Sequence, residues 1–112
     1  MILVIGGAYQ GKEEYVEKNF AAGYAIVKEY HLKIREQMKA GLEPLEEAKK
    51  LLAGADIGND LVVICDEVGY GLVPVDAFER AWRETVGRVC CYFAKEADQV
   101  IRVVCGVGSR IK

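Results

Sequence analysis

Residues 2–12 read Ile-Leu-Val-Ile-Gly-Gly-Ala-Tyr-Gln-Gly-Lys. The run Ile2 to Ile5 is apolar throughout, which is typical of a strand buried on both faces of a parallel sheet. The residues that follow have the spacing Gly6-x-x-x-x-Gly11-Lys12, the pattern of a phosphate-binding loop between a strand and a helix. A strand, a glycine-rich loop and a helix in this order predict an α/β fold.

A loop of this kind binds phosphate mainly through its backbone. Glycine lets the chain curl so that N–H groups point at phosphate oxygens, and the next helix adds partial positive charge at its N-terminus. Lys12 supplies a full positive charge and is a candidate catalytic residue. The candidate nucleotide-binding residues are Gly6, Gly7, Ala8, Tyr9, Gln10, Gly11 and Lys12. The alternative is a tight connection that binds no ligand.

Position 13 departs from the usual pattern of the loop. Ser or Thr normally follows the lysine and binds Mg²⁺ through its hydroxyl, whereas this chain has Glu13. A carboxylate is also an oxygen ligand, so Glu13 is a candidate for both the metal and the nucleotide. A carboxylate about 4 Å from phosphate oxygens would, however, oppose binding by up to about 4 kcal/mol at an effective dielectric constant of 20. We therefore expect weakened or altered binding of ATP or GTP, and the need for Mg²⁺ stays open.

The composition indicates one domain, with 112 residues of which 52% are hydrophobic. The net charge of −2 gives no basic surface for nucleic acid. No apolar run approaches the about 18 residues of a membrane span, and no signal peptide precedes the first strand. We expect a cytoplasmic protein that has neither a membrane nor a nucleic acid as a partner.

The cysteines and the single histidine indicate a reducing compartment. The chain has no Cys-x-x-Cys pair, Cys90 and Cys91 are adjacent, and His31 has no cysteine near it. This spacing argues against a zinc site and against a disulfide framework. Cys65 and Cys105 lie in apolar runs and are predicted to be buried in strands. His31 is interpreted as an ordinary helix residue.

The rest of the chain alternates helical and strand-like patterns. We predict a helix from the loop to near Gly23, a second helix from Tyr24 to Ala40, a third that begins at Pro44, a strand over Leu61 to Cys65, a long helix over Asp76 to Ala97, a strand over Val100 to Cys105 and a short tail. Residues 1–112 then form one domain with a small, mainly parallel sheet of three strands and helices on its faces. Because such a sheet has two unpaired edges, we expect a homo-oligomer.

Two further groups of residues are candidates for the site. Asp66 and Glu67 follow the strand over Leu61 to Cys65, at the sheet edge where the phosphate loop also lies. Both are candidate catalytic residues, and Asp66 is also a candidate magnesium ligand. Arg80 and Arg83 share a face of the long helix and are candidates to bind nucleotide phosphates. The alternatives are a solvated acidic turn, and a basic face paired with neighbouring glutamates of the same helix.

Taken in order, the motifs of the chain resemble the adenosylcobinamide kinase / adenosylcobinamide-phosphate guanylyltransferase family of cobalamin biosynthesis. The resemblance rests on Gly6-Gly7-Ala8-x-x-Gly11-Lys12, Glu67-Val68-Gly69-x-Gly71-Leu72-Val73-Pro74, Arg80-x-x-Arg83-x-x-x-Gly87, Ala97-Asp98-x-Val100 and Gly106-Val107-Gly108-x-x-Ile111-Lys112. It covers roughly residues 1–20 and 61–112. It implies a three-layer fold like that of RecA-like phosphate-loop proteins, a nucleotide cradled by Gly6 to Lys12, a corrinoid substrate and an oligomer.

The chain also departs from that family. The resemblance implies a longer protein, with a guanylylated histidine in a region that is heavily shortened here, and no motif around His31 carries that role over. Cys90-Cys91 stand where the family usually has Asn-Gln. Three hypotheses follow: a minimal adenosylcobinamide kinase without guanylyl transfer, a non-catalytic nucleotide- or corrinoid-binding module, and a structural oligomer subunit with a relic loop.

Overall fold

A computed structural model describes residues 1–20, 22–54, 60–68 and 75–112. The strands are β1 (Ile2–Gly6), β2 (Ala25–Val27), β3 (Leu61–Asp66), β4 (Gln99–Val104) and β5 (Val107–Arg110). The helices are α1 (Lys12–Phe20), α2 (Tyr30–Lys39), α3 (Pro44–Ala53) and α4 (Ala77–Glu96). In the described part of the chain, none of the helices combines the length and the apolar character that crossing a membrane requires.

The described strands form one sheet in the order β2-β3-β1-β4-β5. All neighbouring pairs are parallel except β4 and β5, which are antiparallel. The α/β class and the mainly parallel sheet are therefore confirmed. In the β1–β3 pair, Gly6 lies opposite Asp66, so the phosphate loop and the acidic pair leave the sheet side by side.

The prediction of three strands was wrong at both edges of the sheet. Residues 24–40 were predicted as one helix, but Ala25–Val27 pairs with β3 before α2 begins at Tyr30. The predicted tail contains β5, which turns back onto β4. Cys105 lies in that turn with φ 52 and is exposed, so its predicted burial in a strand was also wrong. Both added strands are short, and tertiary pairing outweighs their weak local patterns.

Helices cover both faces of the sheet and give three layers. On one face, Val16 of α1 packs against a buried cluster that includes Val4, Ile64 and Ile101. On the other face, α2, α3 and α4 contribute Ile34, Ala48 and Phe93 to a second cluster. The long helix α4 begins next to Asp76, as predicted. The Asp76 side chain caps it by accepting a hydrogen bond from the backbone N–H of Glu79.

An ion pair fastens α2 to the first turns of α4. The Arg35 guanidinium donates two hydrogen bonds to the Glu79 carboxylate. It also lies 5.0 Å from the ring centroid of Trp82, within the range of a cation–π interaction. Hydrogen bonding from Arg35 lowers the pKa of Glu79, which keeps this carboxylate charged at neutral pH. The arrangement places Trp82 next to the first turn of α2.

Candidate functional site

The loop between β1 and α1 has the backbone shape of an anion-binding nest. Tyr9 and Gly11 adopt left-handed conformations, with φ 59 and φ 86. Helix α1 follows directly, since the Tyr15 N–H donates to the Gly11 carbonyl at 3.0 Å. Alternating backbone conformations ahead of a helix N-terminus turn successive N–H groups towards one point.

The turn of the β4–β5 hairpin packs against this loop and forms two hydrogen bonds with it. The carbonyl oxygen of Gln10 accepts the Gly106 N–H at 2.7 Å, and its side-chain oxygen accepts the Cys105 N–H at 2.8 Å. A Cβ added at Gly11 would lie 3.3 Å from the Gly106 Cα. The hairpin was missed from the sequence, yet its close approach explains why a side chain at Gly11 would be crowded, while Gly106 has a positive φ of 78 that favours glycine.

Gly6 is required for a related reason. A Cβ added at this position would lie 2.5 Å from the Val103 carbonyl oxygen, a backbone atom that cannot move aside. The chain therefore leaves β1 in close contact with β4. This contact sets the direction in which the loop begins.

The side chain of Lys12 is directed at Asp66. Its Nζ donates to the Gly7 carbonyl at 2.6 Å and lies 2.7 Å from Asp66 Oδ1. The Lys12 side chain is 8% exposed and that of Asp66 is 22% exposed, so water screens this ion pair only partly. The structure thus brings together the two residues that the sequence placed at one sheet edge.

His31, predicted from the sequence to be an ordinary helix residue, lies in this site next to Asp66. Its Nδ1 accepts the backbone N–H of Asp66 at 3.1 Å, and its Nε2 lies 3.4 Å from Asp66 Oδ2. The His31 carbonyl accepts the indole N–H of Trp82 at 2.8 Å. Burial lowers the pKa of His31, with Asp66 and Glu29 opposing the shift, so the imidazole is neutral at pH 7. No local sequence pattern signals these contacts, because they depend on how α2 packs on β3.

A cavity of about 440 Å³ opens over the loop and Asp66. Four glutamates line it, together with the loop, His31 and Asp66: Glu13, Glu14, Glu17 and Glu29. Glu13 lies 3.7 Å from Lys28 and its side chain is 47% exposed. These glutamates are exposed, so the mouth of the cavity is acidic, while the Lys12 side chain is buried.

The cavity contains oxygen ligands that suit Mg²⁺. Magnesium in nucleotide sites is commonly held by one or two carboxylates together with phosphate oxygens and water. Asp66 and Glu13 both line the cavity. Among the described residues, no group of three or more His, Cys, Asp or Glu side chains could hold a metal ion. A magnesium ion here would depend on phosphate oxygens for the rest of its coordination.

Glu67 lies at the same sheet edge but its side chain takes a different direction. Glu67 Oε1 is 3.4 Å from the Arg102 Nε on β4, while Oε2 is buried without a hydrogen bond from the described residues. Glu67 is not among the residues that line the cavity. Successive residues of a strand point to opposite faces of a sheet, which separates this side chain from that of Asp66.

The two candidate arginines of α4 do not line the cavity either. Arg80 donates to the Val75 carbonyl, and the Arg83 Nε donates to the Val68 carbonyl at 2.8 Å. The alternative interpretation paired these two arginines with neighbouring glutamates of α4. It was wrong, because Glu79 pairs with Arg35 and Glu84 pairs with Arg88. Residues 69–74, which include most of the motif after Glu67, lie outside the described residues.

The fold and the loop define an α/β protein of the phosphate-loop class. The sequence model described as "Cobinamide kinase / cobinamide phosphate guanyltransferase" matches residues 24–111. The chain belongs to this family. The match includes residues 24–60, which the resemblance found in the sequence analysis did not cover. The matched range begins after the loop at residues 6–12 and does not include it.

Two curated relatives are similar to part of the chain. Both carry the name "Bifunctional adenosylcobalamin biosynthesis protein CobU", one from Salmonella typhimurium and one from Escherichia coli. They are 42% and 40% identical to it over 52 residues, which is 46% of this chain. The aligned segment spans only 29% of the length of each relative.

The Lys12–Asp66 ion pair should make a measurable contribution to folding. We expect D66N to lower the free energy of unfolding by about 2 kcal/mol, since it leaves a buried ammonium group without its carboxylate. In a double-mutant cycle with K12M, the coupling energy should be about 0.5–3 kcal/mol. Urea denaturation of the four proteins measures both quantities.

The exposed pair of Lys49 and Glu46, 3.3 Å apart, is the matched control. The cycle of K49M and E46Q should give a coupling of about 0.5 kcal/mol or less. Additivity of K12M and D66N to within about 0.3 kcal/mol would show that the buried ion pair is not formed in solution.

Proposed function

We propose that this protein binds a nucleoside triphosphate as its magnesium complex and transfers the γ-phosphoryl group to a cobinamide hydroxyl. The observation that carries the proposal is the contact of Lys12 with Asp66 at the floor of a cavity bounded by the phosphate loop. A loop lysine next to a carboxylate at the end of the adjacent strand is the arrangement that holds phosphates and their metal in phosphate-loop enzymes.

The geometry supports a division of labour between these residues. The loop amides and the N-terminus of α1 would bind the β- and γ-phosphates, and Lys12 would exchange Asp66 for a phosphate oxygen. Asp66, released from Lys12, would hold Mg²⁺, which neutralises charge on the phosphates. Glu13 could add a second oxygen ligand. The acidic mouth disfavours a nucleotide without its metal, because four carboxylates would face its negative charge.

We infer the acceptor of the phosphoryl group, a cobinamide hydroxyl, from the family to which the chain belongs. A model for cobinamide kinase and guanyltransferase matches the chain, and the bifunctional relatives are named for adenosylcobalamin biosynthesis. We infer phosphoryl transfer and not guanylyl transfer, because the Nδ1 lone pair of neutral His31 accepts the Asp66 N–H, which leaves no ring nitrogen free to act as a nucleophile. Glu67, Arg80 and Arg83 remain candidates for the acceptor side of the site.

The second candidate is a non-catalytic module that binds a nucleotide or a corrinoid. Glu13 at the position of the usual magnesium hydroxyl favours it, because a half-exposed carboxylate there repels phosphate. The two candidates differ in their dependence on magnesium.

Nucleotide binding should stabilise the protein only when Mg²⁺ is present. At an ATP or GTP concentration of 100 times Kd, the free energy of unfolding should rise by about 2.7 kcal/mol. K12A should abolish the rise, while K18A, on the exposed side of α1, should keep it. Thermal denaturation with and without EDTA measures the effect. Stabilisation in EDTA would favour the binding module, and none at all would favour the relic loop.

Replacement of Glu13 by serine should tighten the magnesium-dependent binding by about tenfold, equivalent to about 1.4 kcal/mol. The variant removes a negative charge from the loop and supplies the hydroxyl that Mg²⁺ usually finds there. Titration calorimetry with ATP and GTP measures the change, and E36S, which replaces an exposed carboxylate on α2 that does not line the cavity, is the control. Weaker binding by E13S would indicate that Glu13 itself holds the metal, and equal binding would contradict the expected repulsion by Glu13.

Phosphoryl transfer can be followed directly with γ-labelled ATP or GTP and adenosylcobinamide. We expect label on the corrinoid with the unchanged protein and none with K12A or D66N. α-Labelled GTP should leave no label on the protein. Magnesium-dependent nucleotide binding without transfer to the corrinoid would contradict the kinase and support the binding module.

We also propose that the protein forms a homo-oligomer through the β4–β5 hairpin. Val107 and Ile111 are 69% and 59% exposed beside the edge strand β5, and a second copy would cover both the apolar side chains and the unpaired backbone. Light scattering should give a multiple of 12.4 kDa, and V107K should lower it. A monomer at working concentration would contradict the proposal.

A further inference from the structure

Both ring nitrogens of His31 lie close to the same residue, Asp66. Its Nδ1 accepts the Asp66 backbone N–H at 3.1 Å, which means that the ring proton of the neutral imidazole is on Nε2. That Nε2 lies 3.4 Å from Asp66 Oδ2, while Oδ1 of the same carboxylate contacts Lys12 at 2.7 Å. The two carboxylate oxygens of Asp66 therefore lie next to different side chains, Oδ1 next to Lys12 and Oδ2 next to His31.

The position of His31 is itself supported. Its side chain is 10% exposed, and its carbonyl accepts the Trp82 indole N–H at 2.8 Å. Trp82 is held against α2 by the Arg35 guanidinium, 5.0 Å from its ring. A chain of contacts therefore runs from α4 through His31 to Asp66.

We propose that His31 is a positioning residue that orients Asp66 for Mg²⁺ in the nucleotide complex. The inference rests on the proposed function, in which Asp66 is the magnesium ligand. Groups that orient a ligating carboxylate commonly affect metal affinity by 10–100-fold, since a misdirected oxygen loses part of its coordination. Among the described residues, His31 makes no hydrogen bond to the loop or to Lys12, so we expect it to affect the magnesium-dependent part of nucleotide affinity most.

Two variants separate the contacts of the imidazole. In H31N, the side-chain oxygen can still accept the Asp66 N–H, but nothing reaches Oδ2. In H31L, both contacts are lost while the volume is kept. The control is L32A, which truncates a 41% exposed side chain in the same turn of α2.

Calorimetric titration with ATP gives the first readout. In titrations at a series of Mg²⁺ concentrations, H31L should raise the Mg²⁺ concentration needed for half-maximal ATP affinity by about tenfold or more, with H31N between H31L and the unchanged protein. L32A should match the unchanged protein. An unchanged Mg²⁺ requirement in H31L would overturn the role of His31.

Amide hydrogen exchange without any ligand gives the second readout. The Asp66 amide should exchange at least about tenfold faster in H31L than in H31N or L32A, while the amides of β1 stay protected in all of them. Equal protection of the Asp66 amide in H31L would show that His31 does not hold Asp66. If the unchanged protein bound no nucleotide, the proposed function would fail and this exchange measurement would still decide whether His31 positions Asp66.

Discussion

The contact between Lys12 and Asp66 is the interaction on which the site depends. It forms because β1 and β3 are parallel neighbours in a register that places Gly6 opposite Asp66. The loop after β1 and the carboxylate after β3 therefore emerge at one edge of the sheet. The partly buried ion pair keeps the lysine folded over the loop. A ligand that binds there has to replace a contact that the protein already makes.

The surroundings of this pair divide into a rigid wall and an acidic opening. The β4–β5 hairpin holds Gln10 by two hydrogen bonds, and α2 with α4 holds His31 against Asp66. The mouth, in contrast, is formed by glutamates, among them Glu13 in place of a hydroxyl residue. The cavity therefore combines a partly buried Lys12–Asp66 ion pair with an acidic opening.

The chain aligns with only a short part of each curated relative. The aligned segment spans 29% of each curated relative, and the family model covers residues 24–111 of this chain. Within this chain, the site is formed by the sheet edge with Asp66, by α2 and α4 through His31, and by the hairpin against which the phosphate loop rests.

Strong local patterns predicted the centre of this molecule. The apolar runs of β1 and β3, the spacing of the loop glycines and the capped helix α4 each carry a signal within a few residues, and Asp66 could be placed near Lys12 from strand order alone. The edge strands β2 and β5, the exposure of Cys105 and the role of His31 could not be predicted. Their conformations depend on hydrogen bonds to residues distant in sequence, and a three-residue strand or one histidine on a helix has no periodicity that reveals its partner.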